Sequence, residues 1–295
     1  MINELKNYGK VKENIDLINY NTYKISSHAK YLIEVKDENS LVDLIKYLTD
    51  NKVDYFVLGN GSNVVLPQND FSGVIIKLNE FNQIEIDDDE VTVGAGVMLP
   101  KLVSEVVNNC LTGLEWAAGI PGTIGGSVVG NAGAYLSEIF DFIISVRVLD
   151  KGVIKDILKK DIDYSYRYSS FKNKKDTIIL SVKLKLGKGN SDESLNIIKK
   201  RRERRLESQP LEYPSAGSTF RNPENDYAGR LIEECGLKGK KVGGAMVSEK
   251  HANFIINYDK ATPNDIRSLI KEVHDEVLTK TGVDLVLEQE LIDWR

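Results

Sequence analysis

The feature that most constrains this chain is where its glycines stand. Six of its 23 glycines fall within Gly119-Ile-Pro121-Gly122-Thr123-Ile124-Gly125-Gly126-Ser127-Val-Val-Gly130-Asn131-Ala132-Gly133, and a second bare stretch, Leu58-Gly59-Asn60-Gly61-Ser62-Asn63, precedes it. Glycine at that density raises the entropic cost of folding, so the backbone there either takes positive φ or admits a close neighbour to its N–H groups. A large anionic cofactor fits the second need. After the apolar run Tyr55-Phe56-Val57-Leu58, the backbone of residues 59–63 suits an anion-binding concavity for a diphosphate. Neither stretch has the G-x-G-x-x-G spacing of a dinucleotide fold or the G-x-x-x-x-G-K-[ST] of a P-loop. A pair of tight turns is the plainer reading of residues 59–63. It does not suit the second stretch, which is far longer than an ordinary connecting loop.

The remaining pattern is mixed α+β, without the strand–helix alternation of a doubly wound sheet. Ser40, with Leu41, Leu44, Ile45 and Leu48 at helical spacing, predicts a capped amphipathic helix, and residues 53–58 then predict a strand. Strands are expected over 73–78, 143–149 and 177–186, with a hairpin pairing Ile84 and Ile86 with Val91 and Val93 across Asp87-Asp-Asp-Glu90. Leu99, Leu102, Val103 and Val106 predict a helix leading into the second glycine stretch. Gly187-Lys-Gly-Asn-Ser191 reads as a linker, so a domain boundary is expected near it. Beyond it, Lys199-Lys-Arg-Arg-Glu-Arg-Arg205 reads as the solvated face of a helix, or as a face that turns one or two arginines toward a phosphate. A short helix is expected over 228–235 with a glycine C-cap at Gly236. A longer one should open at Thr262-Pro263-Asn-Asp265, and a last strand should span 283–292.

With 295 residues, 41% hydrophobic and 28% charged, the chain has material for two or three cores. A formal charge of −5 argues against a nucleic-acid partner. No run approaches membrane-spanning length and residues 1–12 lack the apolar core of an export signal, so a cytoplasmic location is expected. Cys110 and Cys235 are then expected as free thiols. His28, His251 and His274 are scattered, and no metal site is expected.

Four further blocks, taken in order with the two glycine stretches, carry a resemblance: Ser165-Tyr166-Arg167-Tyr168-Ser169-Ser170-Phe171-Lys172; Tyr213-Pro-Ser-Ala-Gly-Ser218-Thr-Phe-Arg-Asn222-Pro; Val247-Ser-Glu-Lys-His251-Ala-Asn253-Phe; and Leu287-Glu288-Gln-Glu290. From about Asn21 to Trp294 the chain resembles the UDP-N-acetylenolpyruvoylglucosamine reductases, the MurB family, and within it the shorter type II subclass. The resemblance implies an α+β fold: two flavin-binding subdomains of vanillyl-alcohol-oxidase (PCMH-like) type, residues 1–78 and 79–189, and a substrate-binding domain, 190–295. It implies non-covalent FAD, NADPH as reductant and a nucleotide-sugar substrate, reduced to UDP-N-acetylmuramate for peptidoglycan.

Carried over residue by residue, the resemblance implies that Arg167 grips the substrate carboxylate, as a guanidinium can in bidentate fashion. Glu290, with Glu288 as fallback, would stabilise the developing charge, and Ser218 would be the proton donor. Gly59, Asn60, Gly61, Ser62, Asn63, Pro121, Gly122, Thr123, Ile124, Gly125, Gly126, Ser127, Asn131 and Ala132 fall on the cofactor side. Tyr166, Asn222, Gly229, Arg230 and Asn253 fall on the substrate side, although Tyr166 reads equally well as a core aromatic. His251, with no carboxylate partner in view, reads as structural. One block departs from the family pattern: Ser26-Ser27-His28-Ala29-Lys30 replaces the usual Gly-Gly-x-Ala-Asp. Two rivals remain, a different flavoenzyme of the vanillyl-alcohol-oxidase type and a non-catalytic nucleotide-sugar sensor.

Overall fold

The computed structural model describes residues 1–174 and 176–294. Packing divides the chain into two units, each assembled from separated segments. The first comprises Met1–Glu13, Tyr31–Gly59 and Gly73–Arg202; the second comprises Asn14–Lys30, Asn60–Ser72 and residues from Glu203 onward. Each unit has its own hydrophobic core.

Two sheets build the first unit. One has the order Gly9–Asp16, His28–Val35, Phe71–Lys77, Tyr55–Val57, and its last pair is parallel, with Phe56 opposite Ile75. The helix Glu38–Asp50, which connects His28–Val35 to Tyr55–Val57, buries Leu41, Leu44, Ile45 and Leu48. It starts two residues before the expected Ser40: Asp37 is the N-cap and its carboxylate accepts from Ser40 N at 2.8 Å. The other sheet is antiparallel, ordered Val153–Leu158, Ile143–Asp150, Thr177–Lys185, Glu90–Gly94, Ile84–Asp87. The expected hairpin is its edge, with Ile84 opposite Val93 and Ile86 opposite Val91.

Gly187–Lys188 is not a free linker. It pairs with Leu111–Thr112, and Gly189 N donates to Cys110 O at 2.9 Å. The charged helix that follows, Ser191–Ser208, buries only Ser194, which explains why its sequence lacks an apolar stripe.

In the second unit the strands Lys241–Val242, Ala245–Val247 and Ile255–Asn257 form an antiparallel sheet. The helix Pro263–Thr281 packs on all three strands, burying Ile266, Leu269, Ile270, Val273 and Val277 along one face. Its start is fixed by a reciprocal capping box: Asp265 N donates to Thr262 Oγ1 at 3.1 Å and Thr262 N to Asp265 Oδ2 at 2.9 Å. Gly282 ends it in the left-handed conformation, φ +72°. The long terminal strand expected over 283–292 is reduced to Glu290–Leu291, parallel to Val64–Val65, plus a bridge between Phe220 and Leu287. Its ladder partners change from residue to residue, so one regular strand cannot persist.

Both cysteines are free thiols. Among the described residues no cluster of potential metal ligands occurs, and no helix is long and apolar enough to cross a membrane.

Candidate active site

Residues 59–63 leave the strand Tyr55–Val57 through buried Leu58. A Cβ on Gly59 would stand 2.8 Å from Thr123 Oγ1, so the two glycine stretches meet there because neither carries bulk. The Gly59 carbonyl accepts a hydrogen bond from the Lys77 ammonium. Gly61 has φ +64°, and a Cβ on it would lie 2.3 Å from the Tyr20 carbonyl oxygen. Its own carbonyl accepts from Thr22 N at 3.1 Å. Gly61→Ala therefore combines backbone strain with a clash against main chain, and it should lower stability by about 2 kcal/mol or more in urea unfolding. A loss within about 0.5 kcal/mol, the range of an ordinary surface substitution, would contradict that packing.

The second stretch is not a loop throughout. Ile124–Gly130 is a short helix, capped by Thr123, whose Oγ1 accepts from Gly126 N at 3.3 Å, and ended by left-handed Asn131, φ 45°. Its first N–H groups are committed elsewhere: Ile124 N to Val97 O at 2.8 Å and Gly125 N to Ala95 O at 2.9 Å. The glycines thus serve close packing and a bare surface rather than a ring of free donors. A Cβ on Gly125 would come 3.2 Å from that of Ala95, while Gly126 is exposed. Asn131 is fully buried, with Nδ2 donating to Ser165 O at 2.8 Å, and its Oδ1 has no hydrogen-bond partner among the described residues. A bare glycine surface, an orphaned buried acceptor and a buried ammonium on the Gly59 carbonyl fit a large, flat cofactor that carries both donor and anionic groups, such as FAD.

Asn131 also links this segment to the hairpin Tyr164–Ser165/Tyr168–Ser169, whose two turn residues are Tyr166 and Arg167. Ser169 Oγ donates to Val129 O at 2.9 Å and holds its other strand. Arg167 has φ +57°, a left-handed conformation that costs an arginine about 1 kcal/mol or more. Its Nη2 donates to Gly133 O at 2.6 Å, and its guanidinium lies 4.9 Å from the Tyr166 ring centroid. Tyr166 is 48% exposed and so is not a core aromatic.

In the second unit, Ser218 follows left-handed Gly217 and bridges to Phe254. Main chain on both sides fixes it: Thr219 N donates to Asn253 O at 2.8 Å, and Glu288 N to Thr219 O at 2.9 Å. Glu290 N donates to Asn63 O at 2.9 Å, so the 59–63 loop and the Glu290 strand share a ladder. Between the same-parity Glu288 and Glu290, Gln289 is 2% exposed. It accepts from Tyr23 Oη at 2.9 Å and donates to the Ala216 and Gly217 carbonyls at 3.3 and 3.2 Å, bracing the turn that presents Ser218. Burial raises the Tyr23 phenol well above its ordinary range, so it stays a donor. Sequence reading missed Gln289 and Tyr23. The only trace of them was one amide between two acids in a strand of alternating faces.

The substrate-side residues differ in what they hold. The Asn253 amide is spent on Phe220, accepting from its N at 3.0 Å and donating to its O at 2.8 Å. Asn222 Oδ1 accepts from Ala228 N at 3.1 Å at the start of the helix Ala228–Glu234. Gly229 faces His251, whose Cε1 would lie 3.4 Å from a Cβ there. Arg230 is exposed and paired with Asp226 and Glu234. His251 accepts from Asn253 N at 3.3 Å and lies edge-on to Phe254, and burial depresses its pKa, as a packing histidine's would be. In the departing block, Ser26 Oγ donates to Asp16 Oδ2 at 2.9 Å and His28 opens a strand. That segment keeps an ordered path without its glycines.

The bare glycine surface beside the hairpin of Tyr166 and Arg167 suits a bound flavin, and the comparisons define the class as a flavin-dependent oxidoreductase. Residues 29–154 match the FAD binding domain family, and residues 209–292 match the C-terminal domain of UDP-N-acetylenolpyruvoylglucosamine reductase. The chain is 39% identical to the UDP-N-acetylenolpyruvoylglucosamine reductase of Caldanaerobacter subterraneus, covering 99% of this chain and 96% of that one. It is 42% identical to that of Carboxydothermus hydrogenoformans, covering 96% and 94%. The crystal structure of the Thermus caldophilus reductase superimposes with a TM-score of 0.84 at 33% identity, covering 98% of this chain and 100% of that one. The chain belongs to the UDP-N-acetylenolpyruvoylglucosamine reductase (MurB) family, FAD-dependent oxidoreductases of peptidoglycan precursor synthesis.

Proposed function

We propose that this chain reduces UDP-N-acetylglucosamine enolpyruvate to UDP-N-acetylmuramate at the expense of NADPH, with Arg167, Ser218 and Glu290 as catalytic residues. The observation that carries the reading is kinship over nearly the whole chain, at about 40% identity; Arg167, Ser218 and Glu290 stand in the sequence blocks that carry the resemblance. Bound FAD supplies the two-electron relay between NADPH and the vinyl carbon. Its binding residues are Gly59, Asn60, Gly61, Ser62 and Asn63 with 121–127, Asn131 and Ala132.

Reduction of the enolpyruvyl double bond drives negative charge toward the neighbouring carboxylate. Arg167 binds that carboxylate, and its fixed, left-handed turn keeps the guanidinium oriented before substrate arrives. Glu290 is the second residue assigned to stabilise the growing charge. Ser218 holds a proton on its hydroxyl and delivers it to the carbanion-like carbon. Tyr166, exposed on its hairpin, and Arg230 are assigned to the nucleotide sugar, and Asn222 and Asn253 hold main chain on the same side. Gly229 leaves room beside them.

Mass spectrometry of the nucleotide sugar after incubation with NADPH should find it heavier by two hydrogens. NADPH consumption with the nucleotide sugar unchanged would contradict the reading. Because residues 59–63 and 119–133 contain no His or Cys, the protein should lose its yellow colour when denatured and washed. Colour that survives washing would favour the covalent flavoenzyme rival, and ligand binding without NADPH oxidation would favour the sensor.

A further inference from the structure

Gly217, the residue before Ser218, has φ +75°, and a Cβ on it would meet nothing within 4 Å. Side-chain packing therefore does not confine this turn, and glycine by itself leaves the backbone free to rotate. What confines it is the buried Gln289 amide, whose Nε2 donates to the Ala216 carbonyl at 3.3 Å and to the Gly217 carbonyl at 3.2 Å. These carbonyls belong to the two peptides that flank Gly217. Each peptide is planar, so holding its carbonyl holds its plane.

Only one orientation of the amide serves. Both main-chain carbonyls can only accept, so they require the NH2 end, and Oε1 is left to face Tyr23, whose hydroxyl donates to it at 2.9 Å. Burial keeps that phenol protonated, so the polarity of the network cannot invert. Both ends are anchored in turn. The Tyr23 carbonyl accepts from Asn257 Nδ2 at 2.9 Å. On either side of Gln289, Asn63 Nδ2 donates to Glu288 O at 3.2 Å and Asn63 O accepts from Glu290 N at 2.9 Å.

We propose that Gln289, oriented by Tyr23, is the positioning residue for the Ser218 hydroxyl: it locks the two peptides that lead into Ser218 and so sets where that hydroxyl points. The inference rests on Ser218 being the proton donor. A fully bonded buried amide rigidifies the main chain around it, whereas an aliphatic side chain of the same size would only fill the space.

The test is anaerobic stopped-flow absorbance of the flavin-loaded full chain, following flavin reduction by NADPH and its reoxidation by UDP-N-acetylglucosamine enolpyruvate as separate steps. Gln289→Met should slow reoxidation by about thirtyfold, within the range that misplacing a reacting group costs, and leave reduction within about twofold of wild type. In a Ser218→Ala background the same change should slow reoxidation by no more than about twofold further, because a residue that acts through the hydroxyl has nothing left to orient. If Gln289→Met does not fold, Tyr23→Phe carries the test: loss of one neutral hydrogen bond should slow reoxidation by about fivefold, and again add nothing to Ser218→Ala. Reoxidation at the wild-type rate in these variants, equal slowing of both steps, or undiminished slowing in the Ser218→Ala background would overturn the proposal. Ser218→Ala that by itself reoxidises at the wild-type rate would instead overturn the proton-donor reading of Ser218, and this inference with it.

Discussion

Ser218→Ala is expected to slow the reduction of UDP-N-acetylglucosamine enolpyruvate by about a thousandfold, the scale of a general acid's contribution, while oxidation of NADPH by the flavin-loaded protein stays within about twofold. The asymmetry is what makes the result informative. Ser218 is held through the main chain, by the bridge to Phe254 and by the bonds of Thr219 to Asn253 and Glu288, so removing one hydroxyl oxygen leaves its scaffold intact. Gln289 continues to brace the preceding turn. On the proposed role only the proton-delivering group is lost, and only the step that consumes a proton at carbon should feel it. Stopped-flow absorbance of the two half-reactions separates them, and equal slowing of both would remove Ser218 from the chemistry.

Arg167→Lys is expected to lower kcat by about a hundredfold, although the charge is kept. The guanidinium donates through Nη2 to Gly133 O, and its planar fork matches the two oxygens of a carboxylate. An ammonium has no fork, and one that satisfied Gly133 would lie displaced from the substrate. Backbone strain does not confound the comparison, since φ +57° is as unfavourable for lysine as for arginine. Steady-state kinetics should place the loss mainly in kcat rather than KM. Turnover near wild type would count against charge stabilisation by this residue.

Long, strongly periodic elements were legible in the sequence, because their patterns are local. The leucine spacing after Asp37, the Ile84 to Val93 hairpin and the Thr262–Asp265 box each write their own structure. What escaped depended on partners far along the chain. Residues 283–292 alternate like a strand, yet their partners pass from Phe220 to Thr219 to Asn63 and Val64, so little regular pairing forms. The polar run 187–191 looks like a linker until Leu111–Thr112 pairs with it. Glycine density marked residues 119–133 as unusual, but the helix Ile124–Gly130 was hidden because glycine and β-branched residues are poor helix formers. At the candidate site, the arginine, serine and glutamate were visible through their motifs. Lys77 and Gln289 were not, since a lysine ending an apolar strand and a glutamine between acids look like surface residues until their burial is seen.

The central claim is tested most directly by anaerobic absorbance. The flavin-loaded protein is reduced with one equivalent of NADPH, UDP-N-acetylglucosamine enolpyruvate is added, and the oxidised-flavin band is followed. The account predicts that the band is lost on adding NADPH and returns on adding the nucleotide sugar. A band that stays bleached after substrate addition would contradict the assignment of the substrate.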